Sequence, residues 1–252
     1  MLSVVILGTG NVAENLFHAF YESTSIRLTQ VVGRNEESLK KFQDKTKVSS
    51  DFENLVQADI YVIAISDNAI PEISKKITQE GLVVHTSGAT PMEVIPTKNR
   101  GVFYPLQTFT KGHVLDFSTI PICVEAEDPM SFTKLQQLGE CISNKVYGIN
   151  SEQRKKLHLS AVFANNFSNH LFHISEVLCK EENLSFELLK PLILETVKKL
   201  DFLSPLEAQT GPARRKDSES MKRHLELLTD EKQIKLYMLL SEAISKTYEK
   251  EL

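Results

Sequence analysis

Cysteine is scarce in this chain, which has only three cysteines in 252 residues: Cys123, Cys141 and Cys179. They lie far apart and lack the spacing of a metal-binding motif. We therefore predict three free thiols, no metal site and a reducing, cytoplasmic environment.

Strong charge and long hydrophobic runs are also missing. The formal net charge of −4 is too close to neutral to indicate a nucleic-acid partner. The longest apolar runs, such as residues 60–65, are far too short to cross a bilayer. We therefore expect no membrane partner. We also expect no secretory signal, because Gly8 precedes any apolar signal core. With 41% hydrophobic and 25% charged residues, the chain can bury a core.

The most informative stretch of the sequence is residues 3–13, SVVILGTGNVA. An apolar strand runs into a glycine turn and then an amphipathic helix, and the turn matches the dinucleotide fingerprint G-x-G-x-x-G/A. Gly8 permits the tight turn, Gly10 lets a pyrophosphate approach the backbone, and Ala13 allows close packing of helix on strand. The predicted cofactor contacts here are Gly8, Thr9, Gly10, Asn11, Val12 and Ala13.

The surroundings of this motif strengthen its interpretation. A second apolar strand follows at residues 28–32, at the distance that a βαβ unit requires. The alternative is an ordinary strand-to-helix turn that happens to use glycines.

The choice between NAD and NADP depends on the end of that second strand. NAD sites place an Asp or Glu there to bind the ribose hydroxyls, whereas this chain has Arg34 and Asn35. A guanidinium can pair with a ribose 2′-phosphate, so we predict NADP, with both residues as cofactor contacts. The alternative is that Arg34 is only a solvated loop residue.

The rest of the first half alternates strand and helix patterns, which predicts an α/β fold with a mostly parallel sheet. The predicted strands are residues 60–65, 81–86, 101–104, 120–124 and 145–148, and the predicted helices are residues 36–45, 69–79 and 128–141. Two further helix starts are predicted, a capping box of Ser50 and Glu53 and the start at Thr90.

Ligands of such sheets bind at the carboxyl ends of the strands. The candidate cofactor contacts at these ends are Ser66, Asp67 and Ser87. A helix cap is the favoured alternative for Asp67. His85 lies within an apolar strand, which favours a buried histidine over a proton donor.

The pattern changes near residue 150, after which no strand is predicted. Predicted helices cover residues 151–180, 182–200 with a kink or break at Pro191, a segment from Ser204, and residues 217–228 and 229–249. We therefore predict a dinucleotide-binding domain at 1–149 and an all-helical substrate and dimerisation domain at 150–252.

Two polar clusters stand out in this helical half. Arg154, His158, Ala161, Asn165 and Asn169 share one helix face, and Asn166 lies close to it. Such a face either lines a cleft or makes a polar contact between helices. In the second cluster, Arg215 is a candidate clamp for a carboxylate, Asp217 its orienting partner and His224 a candidate proton donor; the alternative is a solvated basic loop and an ordinary helix residue.

These motifs together resemble a known family. The chain resembles bacterial Rossmann-like oxidoreductases whose C-terminal half is a domain of unknown function. It is also similar to their relatives pyrroline-5-carboxylate reductase, F420-dependent NADP reductases and 6-phosphogluconate dehydrogenase. The resemblance covers essentially the whole chain and is carried by residues 8–13, 64–67, 85–89 and 104–109, by the His158 face, and by residues 210–212 with Arg215, Asp217 and His224. Tyr104 and Lys216 stand where this family often has histidine and glycine.

The resemblance implies a nicotinamide-binding fold with a second, all-helical domain, like the C-terminal domain of 6-phosphogluconate dehydrogenase, that builds the cleft and often a dimer interface. We expect an NADP-dependent oxidoreductase acting on a small carbonyl, imine or hydroxy-acid substrate, in which His158, Asn165 and Asn166 meet the nicotinamide side. Two alternatives stay open: an NADP-binding sensor or scaffold without turnover, and an F420-dependent enzyme.

Overall fold

The structure, a computed structural model, describes residues 1–249. Its strands are β1 (Leu2–Leu7), β2 (Ile26–Val32), β3 (Lys47–Ser49), β4 (Ile60–Ile63), β5 (Leu82–His85), β6 (Arg100–Pro105), β7 (Ile122–Ala126) and β8 (Val146–Gly148). They form one sheet in the order β3-β2-β1-β4-β5-β6-β7-β8. Every neighbouring pair is parallel except β6 and β7, which are antiparallel. The chain order reverses between β1 and β4, which opens a crevice at their carboxyl ends.

The helices within residues 1–161 cover both faces of the sheet. They are α1 (Asn11–Glu22), α2 (Glu36–Leu39), α3 (Ile70–Ser74), α4 (Pro129–Glu140) and α5 (Ser151–Ala161). Alternate residues of β1 point to opposite faces. Val4 and Ile6 belong to the core that contains Phe17 of α1, whereas Val5 and Leu7 belong to the core on the other face, under α3. Burial on both faces explains why β1 is continuously apolar.

Several predicted helix boundaries are wrong. The helix predicted for 36–45 ends at Leu39. The capping box of Ser50 and Glu53 does not form, because Asp51 accepts the Glu53 N–H and the Gln30 side chain accepts the Val56 N–H. Local side-chain bonds of this kind compete with helix formation.

The helix start at Thr90 is wrong for the same reason. The Ser87 hydroxyl accepts the backbone N–H of Thr90 at 2.9 Å, and only a 3₁₀ turn, Met92–Val94, follows. The predicted helix 69–79 is also shorter than expected: it consists of a 3₁₀ turn that includes Asp67, then α3, which ends at Ser74. The short edge strand β3 was not predicted.

Other predicted helix starts are confirmed. Asp128 accepts the N–H groups of Met130 and Ser131 at the start of α4. Ser204 forms a capping box with Glu207. The helix predicted from residue 151 does begin at Ser151, but a π-helical segment, Val162–Phe167, interrupts it.

The described chain forms two compact units, residues 1–166 and residues 167–252, of which 250–252 lie outside the described part. The second unit contains α6 (Ser168–Glu181), α7 (Lys190–Lys198), α8 (Pro205–Ala208), α9 (Ser218–Leu227) and α10 (Glu231–Thr247). Pro191 lies in the first turn of α7, where its missing N–H is tolerated. The two units divide later than the predicted domain boundary at 149 and 150, and the functional division into domains stays a prediction.

Along residues 1–249, none of the helices is both long and apolar enough to span a bilayer. All three cysteines are free, and Cys123 is buried. Burial raises the pKa of the Cys123 thiol to about 11, so it stays protonated at neutral pH.

Candidate functional site

The glycine turn after β1 is built around a close approach to β4. Gly8 has a φ of +136°, and a Cβ added to it would lie 2.0 Å from the backbone oxygen of Ala64. Its N–H donates to the carbonyl oxygen of Val32 at 2.7 Å, which ties the turn to β2. Any side chain at position 8 would therefore strain the backbone and collide with β4.

Gly10 is different, because it faces open space. A Cβ at this position would meet nothing within 4 Å. No side chain caps α1, and within residues 1–249 the first N–H groups of this helix have no backbone partner before Glu14 donates to Gly10. Unpaired N–H groups and the positive end of the helix dipole favour an anion such as a phosphate. A pyrophosphate therefore fits here.

The loop after β2 contributes a positively charged side chain, Arg34, to the site. Gly33 is buried under the Thr9 side chain, since a Cβ there would lie 2.4 Å from the Thr9 methyl group. Arg34 is exposed, and no residue of the described chain pairs with its guanidinium. Asn35 caps α2 by accepting the Ser38 N–H at 2.9 Å, so its predicted cofactor contact stays a prediction.

One cavity connects these features across the carboxyl edge of the sheet. Its volume is about 690 Å³. The residues that line it come from the ends of β1, β2, β4, β5 and β6 and from the helical segment after β8; they include Gly8–Val12, Gly33–Asn35, Ala64–Ser66, Thr86, Gln107–Phe109, His158, Asn165 and Asn166. Four strand spacings of about 4.8 Å separate β2 from β6, so the two ends of the cavity lie about 19 Å apart.

Tyr104 and His158 meet at the β6 end of the site. The Tyr104 hydroxyl lies 3.0 Å from Nδ1 of His158, and the two rings form an edge-to-face pair. Burial raises the pKa of Tyr104 to about 12, so the phenol keeps its proton at neutral pH. A smaller cavity of about 220 Å³ adjoins this pair and is lined by Tyr104, Leu106, Gln107, Thr108, His158, Ala161, Val162, Ala164, Asn165 and Asn166. Apart from His158, none of these lining side chains carries a charge at neutral pH.

The π-helical segment explains how two consecutive asparagines reach the same cavities. Asn165 and Asn166 lie in Val162–Phe167 and line both the large and the small cavity. The i→i+5 hydrogen bonding of a π-helix widens the turn, and such segments are frequent at functional sites. The spacing of an α-helix predicted this face, but it could not predict the widened turn.

Arg154 does not face the cavity, although it lies on the predicted polar stripe. Its side chain is fully buried. One guanidinium nitrogen donates to the carbonyl oxygens of Ser87, Gly88 and Thr90 at 3.0, 3.3 and 2.8 Å, and the other lies 3.1 Å from a carboxylate oxygen of Glu125. Arg154 therefore fastens α5 to the loop after β5 and to β7. The helical spacing placed Arg154 on the correct helix, but its side chain contacts the loop after β5 and strand β7.

The remaining candidates at the strand ends have different surroundings. Ser66 lines the large cavity, whereas Asp67 begins the 3₁₀ turn before α3. Ser87 is buried, and its hydroxyl organises the turn to Thr90. Thr86, which the sequence did not single out, lines the cavity instead. The cofactor contacts of Asp67 and Ser87 stay predictions.

His85 is fully buried in β5, and its Nδ1 accepts the Ser87 N–H at 3.2 Å. Burial, with a smaller effect from the Arg154 charge, lowers the pKa of His85 to about 4. The imidazole is therefore neutral at physiological pH, in agreement with the predicted buried histidine.

The second unit holds the other predicted cluster. Arg215 is exposed in the loop before α9. Asp217 caps α9, and the Ser220 N–H and hydroxyl lower the pKa of this carboxyl. His224 is exposed, with Nδ1 2.8 Å from the Tyr237 hydroxyl. The proposed roles of these three residues stay predictions.

Two known protein families match separate stretches of this chain. The family described as NADP oxidoreductase, coenzyme F420-dependent, matches residues 3–87, and a domain of unknown function, DUF2520, matches residues 120–244. No curated protein matches the chain.

Solved structures show where the same fold occurs. A Bacteroides fragilis protein named as a putative NADP oxidoreductase is 38% identical, with a TM-score of 0.89 over 97% of this chain and 98% of that chain. A Thermotoga maritima protein is 20% identical, with a TM-score of 0.76 over 98% and 99% of the two chains. A reductive aminase from Aspergillus terreus, in complex with NADPH and ethyl levulinate, is 11% identical, with a TM-score of 0.74 over 98% and 94%. The Rossmann-like fold with a helical C-terminal part is thereby confirmed.

Proposed function

Because the chain belongs to the family of Rossmann-like NADP oxidoreductases that carry DUF2520, we propose that it transfers a hydride between NADP(H) and a small carbonyl, imine or hydroxy-acid substrate. The observation that carries the proposal is the single cavity that connects the glycine turn and Arg34 with His158, Asn165 and Asn166. One end of the cavity has the glycine turn and a cationic side chain, and the other has an imidazole and two amides. A cofactor site with an adjoining substrate site requires such a difference.

The chain's own residues fit the phosphates of NADP(H). The open space over Gly10 and the free N–H groups of α1 would receive the pyrophosphate. Arg34 would pair with the 2′-phosphate, because its exposed guanidinium lies on the cavity and can donate two parallel hydrogen bonds.

The other end of the cavity would hold the substrate. NADP(H) supplies the hydride, and the protein supplies orientation and hydrogen-bond donors. His158, Asn165 and Asn166 can donate to a carbonyl oxygen or an imine nitrogen, and His158 can exchange a proton there. The small cavity has no carboxylate, lysine or arginine in its lining, which favours a reacting group without formal charge. We retain Arg215 as the proposed holder of an acidic group, with Asp217 orienting it and His224 as a proton donor.

Replacing Arg34 with alanine tests the choice of cofactor. We expect the Kd for NADPH to rise about 10-fold to 100-fold, because charge-assisted hydrogen bonds contribute roughly 1.5–3 kcal/mol each. The Kd for NADH should change less than about threefold, since NADH has no 2′-phosphate for an arginine to pair with. Isothermal titration calorimetry of the purified full chain measures both constants.

Arg27→Ala is the matched control, because Arg27 is an exposed arginine on β2 outside the cavity and its loss changes the net charge equally. It should leave both constants unchanged. Equal weakening of NADPH and NADH in Arg34→Ala would contradict the phosphate contact, and no binding of either nucleotide would overturn the proposal. If NADPH binds but is not oxidised by any member of a panel of keto acids, imines and a deazaflavin, the alternative function is favoured: an NADP-binding sensor or scaffold without turnover.

We also propose that the protein forms a homodimer through its second unit. None of the residues in α6, α7, α9 or α10 is fully buried. Leu192, Leu194 and Val197 on α7 are each more than 60% exposed, as is Phe202 just after it. Such a concentration of exposed apolar side chains is typical of an interface, and a second copy of this chain would cover it.

Light scattering coupled to size exclusion tests the dimer. The wild-type chain should have twice the 28.5 kDa mass of one chain. Leu192→Glu with Leu194→Glu should shift the mass to that of one chain, because two charges would then have to be buried. Met130→Glu is the control, since Met130 is 82% exposed on α4 in the first unit. A wild-type monomer would refute the dimer.

A further inference from the structure

Tyr104 and His158 contact each other through the phenol hydroxyl and one nitrogen of the imidazole. Tyr104 is at the end of β6 and only 8% exposed. Its hydroxyl lies 3.0 Å from Nδ1 of His158, and it has no other hydrogen-bond partner among residues 1–249. A phenol that keeps its proton needs an acceptor when it is buried, and an unsatisfied buried donor costs about 1–3 kcal/mol.

Two arrangements of this hydrogen bond are possible, and they differ in cost. If Nδ1–H donated to the phenol oxygen, the phenol proton would have no acceptor within the described residues. If the phenol donates to Nδ1, both groups are satisfied and the imidazole proton sits on Nε2. The raised pKa of Tyr104, about 12, excludes a phenolate as acceptor at neutral pH.

The loop after β5 covers the same edge of the imidazole. A Cβ on Gly88 would lie 2.5 Å from Nδ1 of His158 and 2.8 Å from Cζ of Tyr104, so the backbone of Gly88 packs directly on the pair. Arg154 fixes that backbone through the carbonyl oxygens of Ser87 and Gly88. Because this edge is covered and His158 lines both cavities, the Nε2 edge is the one left to face them.

We infer that Tyr104 is a positioning residue that holds neutral His158 in the Nε2–H tautomer, so that the site presents a fixed N–H donor to the substrate. The inference rests on the proposed function only for the identity of the ligand, which must have an acceptor atom such as a carbonyl oxygen or an imine nitrogen. An N–H donor in a pocket without carboxylate side chains selects for such an acceptor. A primary ammonium group, which has only donors, would be disfavoured.

Nitrogen NMR of the histidine rings tests the tautomer directly in the full chain without any nucleotide. At about pH 8.5, two units above the ordinary histidine pKa, the wild-type spectrum should show His158 with Nε2 protonated and Nδ1 unprotonated. His158→Gln identifies the signals. Tyr104→Phe should shift both nitrogen resonances toward averaged values, because both tautomers become populated once the phenol is removed.

Gly88→Ala is the second variant, because its methyl group would push Tyr104 and His158 apart although both side chains are still present. It should produce the same averaged shifts. His85 is an internal reference, since its Nδ1 accepts a backbone N–H and its signals should be unchanged in both variants. A wild-type His158 with Nδ1 protonated, or unchanged shifts in Tyr104→Phe, would overturn the inference. Neither result depends on whether NADPH binds, so failure of the proposed function is distinguishable.

Discussion

Replacing Arg154 with methionine should lower the free energy of unfolding by about 3–5 kcal/mol. Methionine keeps much of the side-chain volume, but it removes the partner of the Glu125 carboxylate, which is only 12% exposed. Three backbone oxygens in the loop after β5 lose their donor at the same time. A buried charge without its partner is among the most costly changes in a core. Chemical denaturation of the purified variant measures the loss.

The pair of Arg100 and Glu127 provides a matched comparison. Arg100 Nε lies 2.7 Å from a carboxylate oxygen of Glu127, but these side chains are 21% and 45% exposed. Solvent screens such a pair, so Arg100→Met should cost only about 1 kcal/mol. Equal losses in Arg154→Met and Arg100→Met would contradict the structural role of Arg154.

A double variant separates the lost interaction from the stranded charge. Arg154→Met combined with Glu125→Met should be more stable than Arg154→Met alone, because the buried carboxylate is then gone. A double variant less stable than the single one would show that Glu125 has another essential contact. Its hydrogen bond with the Ser151 hydroxyl, at 2.8 Å, is the contact to examine in that event.

The family resemblance and the fold were predictable because their signals are local. Residues 3–13 predict a strand, a turn and a helix. In the structure the strand is Leu2–Leu7 and the helix begins at Asn11. The capping residues Asp128 and Ser204 also act within one turn of their helices. DUF2520 and the NADP oxidoreductase family confirm the resemblance that these motifs indicated.

Long-range contacts set the limits of the sequence analysis. The sequence spacing placed Arg154 on a face that either lines a cleft or contacts another helix, and only the folded position of the loop after β5 shows that its guanidinium is buried. Ser50 and Glu53 had the spacing of a capping box, but Gln30 accepts the Val56 N–H from across 26 residues. Such competition between local and distant partners is invisible in one sequence.

Tyr104 is one of the residues of the site to which the sequence assigned no role. The signal was present, since Tyr104 is the last residue of the predicted strand 101–104, at the edge of the sheet where ligands bind. The partner, His158, is 54 residues away, and only the fold brings the hydroxyl to Nδ1. The helical spacing that selected His158 and Asn165 depends on one element alone, and both residues do line the cavity.

Replacing Gly10 with valine should abolish measurable tight binding of NADPH, with a Kd at least about 100-fold higher, while the fold keeps its stability. The expected stability follows from geometry: a Cβ at Gly10 meets nothing within 4 Å, and its φ of −79° and ψ of −177° suit any residue. The binding loss follows because the side chain would fill the space over the N-terminus of α1, and 100-fold corresponds to about 2.7 kcal/mol. Calorimetry and thermal unfolding of the same preparation measure both.

Gly8→Ala should behave in the opposite way. Its φ of +136° and the Ala64 oxygen at 2.0 Å from the added Cβ make the smallest side chain disruptive, so the free energy of unfolding should fall by about 3 kcal/mol or more. The two glycines of one motif thus separate two requirements: Gly8 is needed by the chain itself and Gly10 by the ligand. If Gly10→Val bound NADPH as tightly as the wild type, the pyrophosphate could not lie over α1, and the dinucleotide site would have to be sought elsewhere.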